Sequence, residues 1–327
     1  ANGCDSIVTL TLNINSVLYT SLTETICEGQ TYTDNNFNVS EAGVYTQNLT
    51  SMNGCDSIVT LNLSVNPIYN TDLVASICDG EVYNENGFNV SEAGVYSQTL
   101  QALNGCDSIV TLHLDYRELV VDDRDGYTNT YCTKRYGNQV WMTSNMKYLP
   151  QVNNNNSLTA PKYYVYGFTG TSSSSAHNRP LYNTYGVLYN YSAAQTACPS
   201  GWHLPSEAEW QELIDYLGQN QEYTCNENSN NVAKALASTE YWTSSSTVCA
   251  VGNERTHNNA SEFTAVPGGY FNGSSTVSTN SFLGEFTEGC WWTSTSGRRV
   301  QIKNDSSTVN ISGKTKSWGF SVRCVKD

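Results

Sequence analysis

Apolar and polar residues alternate strictly over several short stretches of the chain. Val59, Leu61, Leu63 and Val65 share one parity, and Ile58, Thr60, Asn62 and Ser64 share the other. Val110, Leu112, Leu114 and Tyr116 repeat the pattern, as do Val8, Leu10, Leu12 and Ile14. A period of two predicts strands with one face buried. Asn53-Gly54 and Asn104-Gly105 are tight-turn dipeptides, so GVYTQNL and GVYSQTL should each run antiparallel to the strand that follows. Residues 26–65 align with residues 77–116 without a gap, at a spacing of 51, and NGCDSIVTL occurs a third time from Asn2. We expect small β-sandwiches of four to six strands at residues 16–66 and 67–116, with residues 1–15 as the closing strand of a truncated repeat.

The period disappears after Tyr116. In residues 117–327 a hairpin is expected around Gly137-Asn138, and Trp210, Leu213, Ile214 and Leu217 form a helical apolar stripe closed by Gly218. Ser206 and Glu209 have the spacing of a capping box at its start. A shorter helix is expected over residues 193–197, ending at Cys198, which makes this part α+β.

Charge separates the same two parts. Residues 1–116 hold thirteen acidic and no basic residues, −13, and the remainder holds sixteen basic against seventeen acidic, −1, which together give the net −14. The repeat half should therefore repel nucleic acid and anionic membranes. Eleven cysteines in a β-rich chain point to an exported, disulfide-bonded protein, extracellular or at the cell surface. No apolar run approaches the roughly 20 residues of a membrane-spanning helix. A 51-residue β unit buries little surface, so Cys27 with Cys55 and Cys78 with Cys106 are expected as staples of roughly 3–4 kcal/mol each. By that spacing the partner of Cys4 falls before residue 1, as in a chain cut from a longer array.

The CDSIVTL motif resembles repeats of very large surface adhesins of Bacteroidetes, which implies an extracellular stalk. Asp-Ser-Ile also resembles the O-glycosylation acceptor of that phylum, with Ser6, Ser57 and Ser108 as the implied acceptors; the competing reading is that Ser merely starts a strand. CPSGWHLPSEAEW, FTAVPGGYF, WWTSTS and the terminal WGFSVRCVKD resemble the Fibrobacter succinogenes major paralogous domain across residues 122–327. That resemblance implies a C-type lectin-like fold, akin to the formylglycine-generating enzyme and to retroelement-diversified binding proteins. It also implies a Cys198–Cys324 bond. Cys132, Cys225, Cys249 and Cys290 then allow three pairings, of which Cys225–Cys249 with Cys132–Cys290 is favoured.

Chemistry is sparse. His113, His177, His203 and His257 are scattered without metal-ligand spacing, and His203 is expected as a packed structural residue. DDRDG lacks the EF-hand spacing and reads as a solvated turn. The acids Glu207, Glu209 and Glu212 complement a helix N-terminus, so neither an enzyme activity nor a cofactor or metal is expected. Seven of the sixteen basic residues fall in the last thirty positions. Residues 298–303 and 307–312 read as a hairpin with Val300, Ile302, Val309 and Ile311 inward and Arg299, Gln301, Lys303, Thr308 and Asn310 outward. In the resembled diversified proteins the C-terminal stretch forms the ligand face, which makes this outward set the expected site; Trp292, or its neighbour Trp291, is the aromatic candidate. Residues 151–179 read as a long loop whose Tyr163, Tyr164 and Tyr166 either meet a ligand or anchor it.

The expected function is thus a surface adhesin or filament protein with a glycan- or protein-binding module at its C-terminal end. The alternative is a structural cap that docks to the cell envelope or to other subunits. If the serines carry glycans, the intact mass of the protein isolated from its natural source falls on deglycosylation; an unchanged mass equal to that of the bare chain removes the acceptor reading.

Overall fold

The computed structural model describes residues 8–11, 16–50, 56–78 and 80–327. The chain divides into two compact units, Ala1–Tyr116 and Arg117–Asp327.

In the first unit, β1 (Leu18–Cys27), β2 (Gly43–Thr50) and β3 (Asp56–Asn66) form one sheet in the order β1-β3-β2. β4 (Asn70–Ile77), β5 (Gly94–Gln101) and β6 (Asp107–Tyr116) repeat it in the order β4-β6-β5. The expected hairpins form: β2 is antiparallel to β3, and β5 to β6. Gly105, at φ +82°, closes the second hairpin by donating its N–H to the Ala102 carbonyl. Residues 51–55, with Asn53-Gly54, lie outside the described residues.

Val59, Leu61 and Leu63 are buried with Phe37, and Val110, Leu112 and Leu114 with Phe88 and Ile77. Their opposite faces are open: Asn62 and His113 are exposed, as is Val44. The expected sandwich gives way, among the described residues, to a three-stranded sheet covered on one side by its own loop. In the first repeat that loop is pinned by the Tyr32–Val39 bridge and contributes Phe37. An outer face made mostly of polar residues has little to bury against a second sheet. Val8 and Leu10 are exposed, whereas Leu12 and Ile14 lie outside the described residues.

The cysteine pairing within repeats is overturned. β1 runs parallel to β3, with Leu18 opposite Ser57 and Cys27 opposite Asn66. Cys27 therefore sits at the far end of the sheet from Ser57, about nine residues or ~30 Å away. A disulfide tolerates about 7 Å between Cα atoms, so a partner for Cys27 must come from the Asn66 end of the sheet and not from the end where β3 begins. The same holds for Cys78 and Cys106, because β4 is parallel to β6. Cys27 is instead bonded to Cys106 of the next repeat, with a Cα separation of 5.6 Å and 79 positions along the chain. Cys78 and Cys132 are each disulfide-bonded as well. Cys4 and Cys55 lie outside the described residues.

The second unit holds β7 (Leu119–Asp122), β8 (Asn129–Tyr136), β9 (Gln139–Met142), β10 (Tyr163–Tyr164), β11 (Leu188–Tyr189), β12 (Trp202–His203), β13 (Gly268–Phe271), β14 (Phe282–Glu285), β15 (Glu288–Trp292), β16 (Arg298–Lys303), β17 (Asn310–Gly313) and β18 (Val325–Lys326). Two sheets have five strands each, in the orders β12-β18-β9-β8-β7 and β14-β13-β15-β16-β17. The helices are α1 (Ser173–His177), α2 (Pro180–Tyr185), α3 (Tyr191–Ala194), α4 (Glu207–Gly218) and α5 (Ala233–Leu236). The short helix expected over 193–197 is α3, displaced toward the N-terminus because the Asn190 side chain caps it.

α4 begins at the expected capping box: Ser206 Oγ accepts from the Glu209 N–H at 3.2 Å, and Glu209 Oε2 from the Ser206 N–H at 2.7 Å. Its buried Trp210, Leu213 and Leu217 join Trp141 of β9 with Trp291, Val300 and Ile302 of the second sheet. The Trp141 and Trp210 rings meet edge to face at 4.8 Å. Cys198–Cys324 and Cys225–Cys249 are bonded. Cys132–Cys290 does not form: Cys290 is a free, buried thiol.

Leu61→Ala should cost about 2–5 kcal/mol in urea unfolding, while Asn62→Ala on the open face should change stability by less than about 0.5 kcal/mol. Equal losses would mean that both faces are buried.

Candidate ligand-binding face

The C-terminal hairpin is built by β16 and β17, with Val300 opposite Ile311 and Gln301 opposite Asn310. β17 starts three residues later than expected, because the connection is held away from β16 by backbone bonds. The N–H groups of Gly252, Val251 and Ala233 donate to the carbonyls of Asn304, Ser306 and Ser307. Val300 and Ile302 are fully buried against the tryptophan core.

The opposite face of β16 is more closed than alternation suggests. Arg299 is 6 % exposed: its Nη1 donates to Cys290 Sγ at 3.0 Å, its Nη2 to Gln301 Oε1 at 3.1 Å, and it lies over the Phe320 ring. Gln301, 7 % exposed, donates through Nε2 to Glu288. Lys303 Nζ stands 3.5 Å from Glu288 Oε1. Beyond this row the surface opens into a cleft of about 320 Å³ lined by Gln301, Lys303, Ser306, Thr308 and Asn310.

Four of the six expected ligand residues therefore meet in one cleft, Gln301 as its floor and Lys303, Thr308 and Asn310 as its exposed walls. Arg299 stands behind the floor and is not available to a ligand. Trp292 is displaced from the site altogether: it is fully buried, donates Nε1–H to the Tyr189 carbonyl at 2.8 Å and packs edge-on against Phe320. Trp291 is equally buried.

The sequence reading missed Ser306 and Glu288. Glu288 pairs across the strands with Lys303, a contact that follows from the β15–β16 register and not from any spacing along the chain. It also missed an aromatic shelf on the same sheet. Tyr270 of β13 stacks on Trp318 at 5.3 Å, with Lys314 Nζ 4.6 Å above the indole, and both rings are partly exposed. Burial first, and then the Glu288 carboxylate, raise the Tyr270 phenol above its ordinary pKa. The GGYF and SWGF segments carried that signal. By contrast Tyr163, Tyr164 and Tyr166 are buried anchors of their loop.

No basic patch results from the seven late basic residues. Arg298 pairs with Glu207, Lys326 with Glu118, and Lys316 lies over Tyr191. Arg323 is fully buried, donating to the carbonyls of Met142 and Phe263 and to Asn145 Oδ1, and burial lowers its pKa to about 9. The cleft thus offers amides, hydroxyls and one ammonium, a set suited to hydrogen-bonding a polyhydroxylated or peptide ligand. Burial pushes the Cys290 thiol up to about 12, so it stays protonated at neutral pH and supplies no thiolate there.

Elsewhere DDRDG is a turn with Asp123, Arg124 and Gly126 exposed, but two of its acids are not solvated. The Asp122 and Asp125 carboxylates are both 1 % exposed, Asp122 bonded to Arg124 and Asp125 accepting from the Leu149 N–H. Ser57 and Ser108 are half-buried in β3 and β6, and Ser6 lies outside the described residues. His203 is not packed away but bridges two acids, Nε2 to Glu209 at 2.8 Å and Nδ1 to Asp327 at 2.7 Å.

Two five-stranded sheets joined through a tryptophan core, with internal disulfides and a polar cleft at the C-terminal hairpin, define a β-rich disulfide-bonded module. The chain belongs to the family of the Fibrobacter succinogenes major domain, whose model matches residues 135–326. No curated protein matches it.

Burial alone would lower the His203 pKa, but the bonds to Glu209 and Asp327 outweigh it and the net shift is upward. Burial likewise opposes ionisation of Glu209, but the Ser206 and His203 bonds leave it below its ordinary value. The bridge is therefore complete between the two values and fades as pH rises through the raised His203 pKa. His203→Gln should cost a few tenths to about 1 kcal/mol near pH 5.5 and less near pH 9, read by urea unfolding. A loss that grows with pH would contradict the bridge.

Proposed function

We propose that the chain is part of an extracellular surface adhesin or filament protein. Its acidic repeats serve as a stalk, and its C-terminal domain, of C-type lectin-like fold, binds a glycan or protein noncovalently. The observation that carries this reading is the cleft at Gln301, Lys303, Ser306, Thr308 and Asn310, where exposed hydrogen-bonding groups rise from a rigid sheet floor. Rigid elements beneath adaptable polar groups are what a specific site requires. The Tyr270–Trp318 shelf adds aromatic surface beside it, the complement to polar groups in sugar recognition.

An extracellular location is supported by the disulfides of both units. No helix among the described residues is long and apolar enough to cross a membrane. The cleft groups are suited to holding a ligand rather than transforming it, since the nearby thiol is buried.

The test is a glycan array probed with the full chain and with Lys303→Ala/Asn310→Ala. Binding should fall at least about tenfold in the variant, because each hydrogen bond to a charged or desolvated group contributes about 1 kcal/mol or more, while the melting temperature stays unchanged. Undiminished binding removes the cleft as the site. Absence of glycan binding together with specific capture of envelope components favours the structural cap.

A further inference from the structure

A chain under tension pulls each repeat through its first and last strands. In the first repeat these are β1 and β3, parallel neighbours over ten register pairs from Leu18–Ser57 to Cys27–Asn66. In the second they are β4 and β6, parallel over eight pairs from Asn70–Ile109 to Ile77–Tyr116. Tension drags the first strand toward its N-terminus and the last toward its C-terminus, so the two slide along their shared ladder. All ladder bonds are then loaded at once, in shear, instead of one after another as in an unzipping hairpin. β2 and β5, the antiparallel members that would unzip, lie on the far side of β3 and β6 and outside this pair.

The disulfide adds a second element. Cys27 ends β1, and Cys106 immediately precedes β6. The joint around the bond is tied by polar contacts: Asn66 Nδ2 donates to the Asn104 carbonyl at 2.9 Å, Asn104 Nδ2 to the Pro67 carbonyl at 3.2 Å, and the Glu28 N–H to the Asn66 carbonyl at 2.9 Å. The short covalent route from β1 to β6 crosses the sulfurs and bypasses everything between. β2, β3, β4 and β5 all lie in the bypassed segment.

We propose that the repeats are a tension-bearing element in which Cys27–Cys106 carries force directly from one repeat to the next. The bond keeps the intervening strands folded under load, and after its reduction the parallel strand pairs act as shear clamps. This role stands independently of any ligand bound by the C-terminal domain.

Single-molecule pulling of the full chain by its two ends tests it. Cys55, Cys78 and Cys132 are replaced by Ser, so that the segment between Cys27 and Cys106 holds no other cysteine, and the protein is compared with the same background carrying Cys106→Ser. The variant should stretch about 27 nm further when fully extended, from 79 positions at about 3.4 Å each. Its repeats should open in discrete force peaks. Equal full lengths would overturn the strap, and a smooth extension without peaks would overturn the shear clamp. Full length reads covalent connectivity whether or not the variant refolds. Cys106→Ser in the otherwise unaltered chain should also lengthen it, and no lengthening there counts against the strap.

Discussion

Because the first and last strands of each repeat run side by side in the same direction, the chain leaves a repeat at the end opposite the one where it came in. Much of the first unit follows from that. The cysteine ending β1 accordingly meets the turn before β6 of the next repeat. Closing a loop of 79 positions contributes about 4–5 kcal/mol in the chain-entropy model, a large share of what a small one-faced sheet can supply by burial. The acidic surface, with no basic residue in residues 1–116 to offset it, would weaken an uncrosslinked association of repeats.

In the second unit the second sheet is gripped from both sides, but unequally. One face, around Trp291, Val300 and Ile302, rests on Trp210, Trp141 and Phe263. The other is covered at one end only, by the segment around Phe320, whose ring touches Trp292, Tyr270 and Trp318 and lies beneath Arg299. Arg323, in the same terminal stretch, is held by carbonyls without a carboxylate partner, which fixes that segment at the cost of a displaced pKa. The uncovered end of the face, from Gln301 to Asn310, is where the cleft opens. The edge of that cover therefore sets the limits of the site.

Local periodicity was a sufficient guide to strands, hairpins and the capped helix. Val59, Leu61 and Leu63 are buried as their parity requires, and Ser206 with Glu209 caps α4. Connectivity between distant elements was not legible in that way. The 51-residue period aligns the cysteines equally well within repeats and between them, and only the parallel direction of β1 and β3 chooses. Alternation put Arg299 and Gln301 on the face of β16 opposite Val300, but could not reveal that Phe320 and Glu288 lie across that face and bury them. Trp292 failed as a ligand residue for the same reason, since its neighbours come from residues 189 and 320.

The covalent link between repeats depends on the direction of their first and last strands, and the partner of Cys27 reports that direction. Residues 1–116 contain no site for trypsin, so cleavage under non-reducing conditions at Asp and Glu is the suitable digest. The peptide of residues 25–28 should be recovered joined to residues 93–107, which carry Cys106. Recovery of residues 25–28 joined to residues 42–56, which carry Cys55, would contradict the parallel arrangement and with it the covalent link between repeats.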